Sequence, residues 1–242
     1  MTLIEQIAAA RVFDLEQPRF AGMPIHPAHK PGYFYGLHRR HRDSYRPDEF
    51  GPRSGASGIL TMMEHSGTHI DALCHQACDM MLHGGVKVDE VERSDGYREL
   101  GAETMRPLLG RGVLLDVAGT KGVAQLPPNY AISADDLLAA ARATAVTVRP
   151  GDVLLVRTGY ATSWSDEATY LNAAGVSKSA NLWAADQRVV AVGADNMAWD
   201  CLTERDPETK MALFGHAHLL VRHGIHIIEN LNLEALAAAK VH

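Results

Sequence analysis

Several common kinds of protein are excluded by what this chain lacks. Only three of its 242 residues are cysteine (Cys74, Cys78 and Cys201). So small and odd a number builds no disulfide framework and favours a reducing compartment. No apolar run approaches the length of a bilayer span. The opening Met1-Thr2-Leu3-Ile4-Glu5-Gln6 lacks the basic stretch and apolar core of a secretory leader. Basic runs are missing as well, and a formal charge of -6 leaves no footprint for nucleic acid. These absences predict a cytoplasmic protein that meets a small molecule, with no nucleic acid and no membrane as partner. What is present is ordinary for a folded chain: 46% apolar and 21% charged residues. The length suits a single domain over residues 1–242.

Buried strands announce themselves as apolar runs. Residues 113–117, 152–158 and 188–193 are apolar almost throughout, as strands covered on both faces should be. Residues 224–229 make a further strand near the end, 11–15 a short one near the start, and 59–63 one leading into a histidine-rich segment. Helices fall between them. Ser133 caps residues 134–143, with Asp136 completing a variant capping box, and Ser177 and Ser179 open a second helix through 180–186. A short helix over 232–238 closes the chain. Alternating helices and buried strands predict an α/β architecture. From about 18 to 58 nothing is periodic. Prolines interrupt this stretch, and Tyr33, Phe34 and Tyr35 stand together within it. A structureless stretch so long is usually functional, which predicts a pocket-forming loop.

The densest chemistry lies at His65-Ser66-Gly67-Thr68-His69-Ile70-Asp71-Ala72-Leu73-Cys74-His75. Three imidazoles and a carboxylate within eleven residues form a nitrogen and oxygen donor set suited to a divalent ion such as Zn2+ or Mn2+. Gly67 breaks any continuous helix, so His65 is expected at a strand end, with His69 and Asp71 entering a new helical element. His75 is placed to act as a general acid or base, or as a fourth ligand. Toward the far end, Gly215-His216-Ala217-His218 and Glu229 offer further ligands. A carboxylate at the end of an apolar strand is costly to bury unless it is paired or metal-bound. Spacing alone does not choose between His216 and His218.

The segment from His65 to His75 resembles the signature H-x-G-T-H-x-D-x-P-x-H of the cyclase family that includes bacterial kynurenine formamidase and isatin hydrolase, with Leu73 in place of the proline. Asp14-Leu15, Gly22-Met23-Pro24, Arg157-Thr158-Gly159, Gly193-Ala194-Asp195 and Ile228-Glu229-Asn230-Leu231 are similar to other family positions. The resemblance implies a swivelling β/β/α domain with a mixed central sheet and flanking helices, assembled as a homodimer or homotetramer. It implies metal ligation by His65, His69, Asp71, His216 and Glu229, with one or two ions per subunit and His75 as the catalytic histidine. The spacing of the leucine pair in the family's closing motif selects His216 over His218.

The expected chemistry is hydrolysis of an amide, lactam or lactone-type bond by metal-activated water, with His75 shuttling the proton. Thr68, Arg157 or a backbone N–H is the candidate holder of the oxyanion. Phe34, Tyr35 and Trp164 are candidate walls for a flat substrate such as an aryl formamide or an isatin-like lactam. Arg157 is a candidate for orienting a substrate carboxylate, or for pairing structurally with Asp195 or Asp116. Two alternatives share the ligands: a metal-dependent cyclase or dehydratase of a keto acid, and a non-catalytic, metal-stabilised small-molecule binding protein.

Overall fold

The computed structural model describes residues 2–242. Its centre is a five-stranded mixed sheet. Strands β4 (Gly112–Asp116), β5 (Val153–Arg157), β6 (Ala191–Ala194) and β7 (His226–Glu229) run parallel, and the two-residue β3 (His69–Ile70) adds antiparallel to β7 at one edge. The spatial order is β3-β7-β6-β5-β4.

Both faces of this sheet are covered, which is why its strands are apolar throughout. Val113, Leu115, Leu154 and Val156 join one core with helices α1 (Ala134–Thr144) and α2 (Lys178–Asp186). Leu114 and Leu155 point to the opposite core, which is closed by Leu15, Leu231, Leu233 and the short helix α3 (Glu234–Ala238). This alternation is the two-residue period of a strand. Helix α1 starts at Ser133, whose hydroxyl accepts from the Asp136 N–H while the Asp136 carboxylate reaches back to the Ser133 N–H. Among the described residues no helix is long and apolar enough to cross a membrane.

Two expectations for the N-terminal part are corrected. Residues 11–15 form no strand; Leu15 instead accepts a hydrogen bond from the Asn232 N–H across the second core. The stretch from 18 to 58 is not free of secondary structure. It contains β1 (Phe34–Arg39), which pairs antiparallel with β2 (Ser57–Thr61) in a separate two-stranded sheet. This hairpin is exposed on both faces: Phe34, Tyr35, Leu37, Ile59 and Leu60 are each more than half accessible. A strand with no buried face has no reason to alternate, so its sequence shows no period.

Candidate metal centre

The chain leaves β2 at Thr61 and turns through His65, Ser66 and Gly67 before pairing as β3. Gly67 sits at φ +71°, a conformation that L side chains rarely adopt, and the turn depends on it. His69 therefore lies on an edge strand, not in the helical element expected there. Register with β7 sets His69 opposite Glu229 and Ile70 opposite Ile228. One short antiparallel pairing thus brings together ligand types 160 residues apart.

Side-chain geometry completes the cluster. His65 Nδ1 lies 3.2 Å and His69 Nε2 3.5 Å from Asp71 Oδ1. His216 Nε2 lies 3.7 Å from Asp71 Oδ2 and 3.3 Å from Glu229 Oε1, and His69 Nε2 is 3.5 Å from Glu229 Oε2. Asp71 is 1% exposed, yet neither carboxylate oxygen makes a hydrogen bond. A buried carboxylate without hydrogen bonds, facing three imidazoles, is costly alone and suits a cation. The donors His65, His69 and Asp71 converge on one point, and Asp71, His75 and His216 on a second. The residues fit one divalent ion, and Asp71 is placed to face two.

The imidazoles are aimed by partners behind them. His69 Nδ1 donates to the Gly67 carbonyl at 2.8 Å, leaving Nε2 for the cluster. His216 Nδ1 donates to Asp200 Oδ2 at 2.8 Å, leaving its Nε2 likewise. Asp200 is itself fixed: its Oδ1 accepts from Asn181 Nδ2 and from the Gly215 N–H, each at 2.8 Å. A Cβ on Gly215 would collide with these same carboxylate and amide oxygens, so glycine is required for the approach. Trp199, at φ +53°, puts Asp200 in place and is held there by its indole N–H donating to Asn181 Oδ1 at 2.7 Å.

Protonation follows from these contacts. Burial pushes the Asp71 pKa up, but the neighbouring His65 and the charges of His216, His75 and His69 hold it down at about 2. Burial opposes a proton on His65, and Asp71 with Glu229 and Glu64 outweighs it, raising the pKa above the ordinary value. His216 is held well above the ordinary value by Asp200 and Glu229 against the effect of its burial. Glu229 is raised by burial and by Asp71, despite His216. His75 is pushed down to about 4, first by burial and then, against the pull of Asp71, by the charges of His65, His216 and His29.

Two cavities meet at His65 and His75. The larger, about 550 Å3, is lined by His65, His69, Asp71 and His75 together with Glu64, Tyr97 and Glu103. The smaller, about 180 Å3, is lined by His26, His29, Met197 and Leu213 with His216 and Glu229. His26 and His29 were not anticipated at the site. The His29 ring stacks on His65 with centroids 4.4 Å apart and lies 6.3 Å from His75. Nothing local marked them, because a proline-rich loop carries them across the fold.

The remaining candidates lie elsewhere. His218 stacks on Phe214 at 5.2 Å and against His223 at 4.6 Å, outside the ligand cluster. Phe34 and Tyr35 project from the exposed hairpin and line neither cavity. Trp164 is buried in the main core, packs edge-on against Tyr170 and donates its indole N–H to the Pro18 carbonyl at 2.8 Å. Arg157 is enclosed by protein: it donates to both Glu234 oxygens, to Asp116 Oδ1 and to the Ala124 carbonyl. Its pairing with Asp116 is therefore structural, while Asp195 is occupied in accepting from Thr158 and Gly159. The Thr68 hydroxyl donates to the Asn230 carbonyl at 2.6 Å and accepts from the Gln17 N–H, which ties the turn to the body.

At the edge of this sheet the fold gathers a His/Asp cluster whose donors suit a divalent metal ion. The chain belongs to the Cyclase family, whose model matches residues 13–201. A crystal structure described as a novel cyclase shares 30% identity with a TM-score of 0.84, covering 98% of this chain and 78% of that one. Isatin hydrolase A from Ralstonia solanacearum shares the fold at 19% identity and TM-score 0.69, over 98% of this chain and 87% of its own. An isatin hydrolase bound to the product analogue thioisatinate does so at 20% identity and TM-score 0.66, over 94% and 82%. Among curated proteins there is no match. The family match ends before His216 and Glu229, which the pairing of β3 with β7 and the packing of the body bring to the other half of the cluster.

Proposed function

We propose that this protein hydrolyses an amide, lactam or lactone-type bond at a divalent metal held by His65, His69, Asp71, His216 and Glu229. The observation that carries the reading is Asp71, a carboxylate sealed from water with no hydrogen bond and ringed by imidazoles. The donor set of nitrogen and oxygen suits Zn2+ or Mn2+. A bound divalent ion supplies Lewis acidity, which makes water nucleophilic near neutral pH and polarises a carbonyl.

The chain's own residues do the rest. His75 borders both cavities, and its low pKa leaves it neutral and only weakly basic at pH 7, suited to relaying a proton and not to holding it. It takes that proton from the attacking water and delivers it to the departing nitrogen or oxygen. Asp71 and Glu229 balance the cation's charge, and the imidazoles fix its position. The isatin hydrolases that share the fold support a substrate with a carbonyl beside nitrogen. The exposed apolar side chains of the β1–β2 hairpin support assembly as a homodimer or homotetramer.

The test is a panel of N-formyl aryl amines, cyclic imides, lactams and lactones, assayed with Zn2+ and with Mn2+ and paired with metal analysis of protein purified without chelator. Bound metal and ring-opened or deformylated product are expected. Protein without metal, or turnover indifferent to chelator, would falsify the reading. The structure described as a novel cyclase favours one other chemistry at the same site, ring closure. Loss of a water from the substrate mass, instead of its gain, would identify that reaction.

A further inference from the structure

Both side chains expected to hold an oxyanion are spent elsewhere. The Thr68 hydroxyl donates to the Asn230 carbonyl, and the Arg157 guanidinium is taken up by Glu234, Asp116 and Ala124. A carbonyl oxygen at the centre needs another donor, and the smaller cavity holds one. His75 and His216, which share the second convergence point with Asp71, line this cavity, so an ion there would face it. His26 lines it as well and is half-buried.

His26 caps the short turn Pro27–His29, and its Nδ1 accepts from the Ala28 N–H at 3.3 Å. A backbone N–H only donates, so Nδ1 carries the lone pair and the ring proton sits on Nε2. That Nε2–H has no hydrogen-bond partner among the described residues. Burial, and then the charge of His216, hold the ring below its ordinary pKa and keep it neutral. Neutrality matters beside a divalent ion, which would repel an imidazolium but lets a neutral N–H approach the same oxygen. His29 is differently used: its ring stacks on His65, and no hydrogen bond among the described residues fixes its tautomer. Ala28, Met197, Ala198 and Leu213 give the rest of the cavity an apolar wall, where a donor is less diluted by water.

We infer that the Nε2–H of His26 is the donor that holds the substrate's carbonyl oxygen, with the acyl side of the substrate in the smaller cavity and the leaving group in the larger. The inference rests on reading the His/Asp cluster as a hydrolytic metal centre. As water adds to the carbonyl carbon, the C=O electron pair moves onto oxygen. The hydrogen bond from His26 strengthens toward that charge, and no proton passes along it. A volume of about 180 Å3 suits a short acyl group, and about 550 Å3 the larger leaving portion.

Two substitutions separate this role from simple capping. His26→Asn keeps an oxygen at the capping position and loses the reach of Nε2. His26→Gln places an amide N–H near the Nε2 position and disturbs the cap. With zinc-loaded protein and the best substrate of the amide and lactone panel, His26→Asn is expected to lower kcat about 100-fold with KM little changed. His26→Gln should recover most of the loss. Acetate offers an acyl oxygen without turnover, and should bind the Asn variant about tenfold more weakly than the parent and the Gln variant nearly as well as the parent. Zinc content should be the same in parent and variants. An Asn variant equal to the parent in acetate affinity, or a Gln variant no better than the Asn one, would overturn the inference and reduce His26 to a cap. Nitrogen NMR of isotope-labelled, metal-free parent reads the tautomer without any substitution, and a proton found on Nδ1 would overturn it too. The expected acetate pattern without hydrolysis of any panel member would refute the hydrolase reading and leave the donor standing. Hydrolysis that His26→Asn does not slow would do the reverse, and protein that takes up no zinc would overturn both.

Discussion

The two halves of the proposed metal centre are built in different ways. His216 and Glu229 stand on the body of the protein, 3% and 5% exposed, and His216 is held through Asp200, Asn181 and Trp199 by a chain of buried hydrogen bonds. His65, His69 and His75 come from a turn and an edge strand two residues long. The backbone of this segment is tied to the body through Thr68, Gly67 and Asp71, but its imidazoles are held by the Gly67 carbonyl, the stacked His29 and one another, with His65 Nδ1 only 2.9 Å from His69 Nε2. The His216 imidazole is therefore aimed by a buried chain of partners, whereas those of His65 and His75 are aimed mostly by other rings of the cluster. Affinity should be most sensitive where His216 is anchored and where the halves meet.

Asp71 is the meeting point, so its removal should have the largest effect. Asp71→Asn keeps the shape but removes the charge, and is expected to lower metal affinity by more than about 100-fold, beyond the loss typical of outer partners. Metal titration with a competing chelator reads this directly. If the variant kept its affinity, Asp71 would be a structural carboxylate and the two halves would not share an ion.

Asp200→Asn tests whether that aiming matters. The amide can still touch His216 Nδ1 but no longer favours the tautomer that frees Nε2. Affinity should fall about 10- to 100-fold, with turnover recovered at saturating metal. A variant indistinguishable from the parent would erase the contrast between the halves.

Acidity should weaken the centre next. His65 and His216 have raised pKa values in the metal-free protein, so below those values both carry protons that block the lone pairs a cation needs. Metal uptake must release these protons, and affinity should rise with pH through neutrality and fall as pH drops, by up to about tenfold per unit for each proton released. Calorimetric titration in buffers of different ionisation enthalpy measures the proton count. An affinity flat between about pH 6 and 8 would contradict the assignment.

The smallest effect on the centre should come from Arg157→Met. The substitution strands Asp116 and Glu234, which are partly exposed, so the expected destabilisation of about 2–3 kcal/mol lies at or below the low end for a broken buried pair. Denaturant unfolding would show it, while metal content and KM of the folded fraction stay unchanged. A raised KM with stability intact would return Arg157 to the substrate.

The same contrast explains what could be read from the amino-acid sequence. The parallel strands were legible because burial on both faces makes a strand apolar without interruption. The donor cluster from 65 to 75 was legible because it is local. His216 and Glu229 became specific only through resemblance to a family, since two neighbouring histidines spaced alike give no physical reason to prefer one. Asp200, His26 and His29 were hidden because each reaches the site through tertiary contact alone. Trp164 misled for a related reason: its side chain was read as a pocket wall, but the core claims it, while Arg157 takes up the structural pairing with Asp116 that was its second reading. The strand β1 was missed because an exposed hairpin imposes no period.

The pairing of β3 with β7 also fixes an order of events during synthesis. The segment carrying His65, His69 and Asp71 leaves the ribosome well over a hundred residues before Glu229, and β3 has no neighbour in the sheet other than β7. Until that last strand is made and laid beside β6, the early ligands have no edge to add to and no partner carboxylate. Loading of the proposed metal by all five donors is therefore expected only after the sheet is complete, late in this chain's maturation.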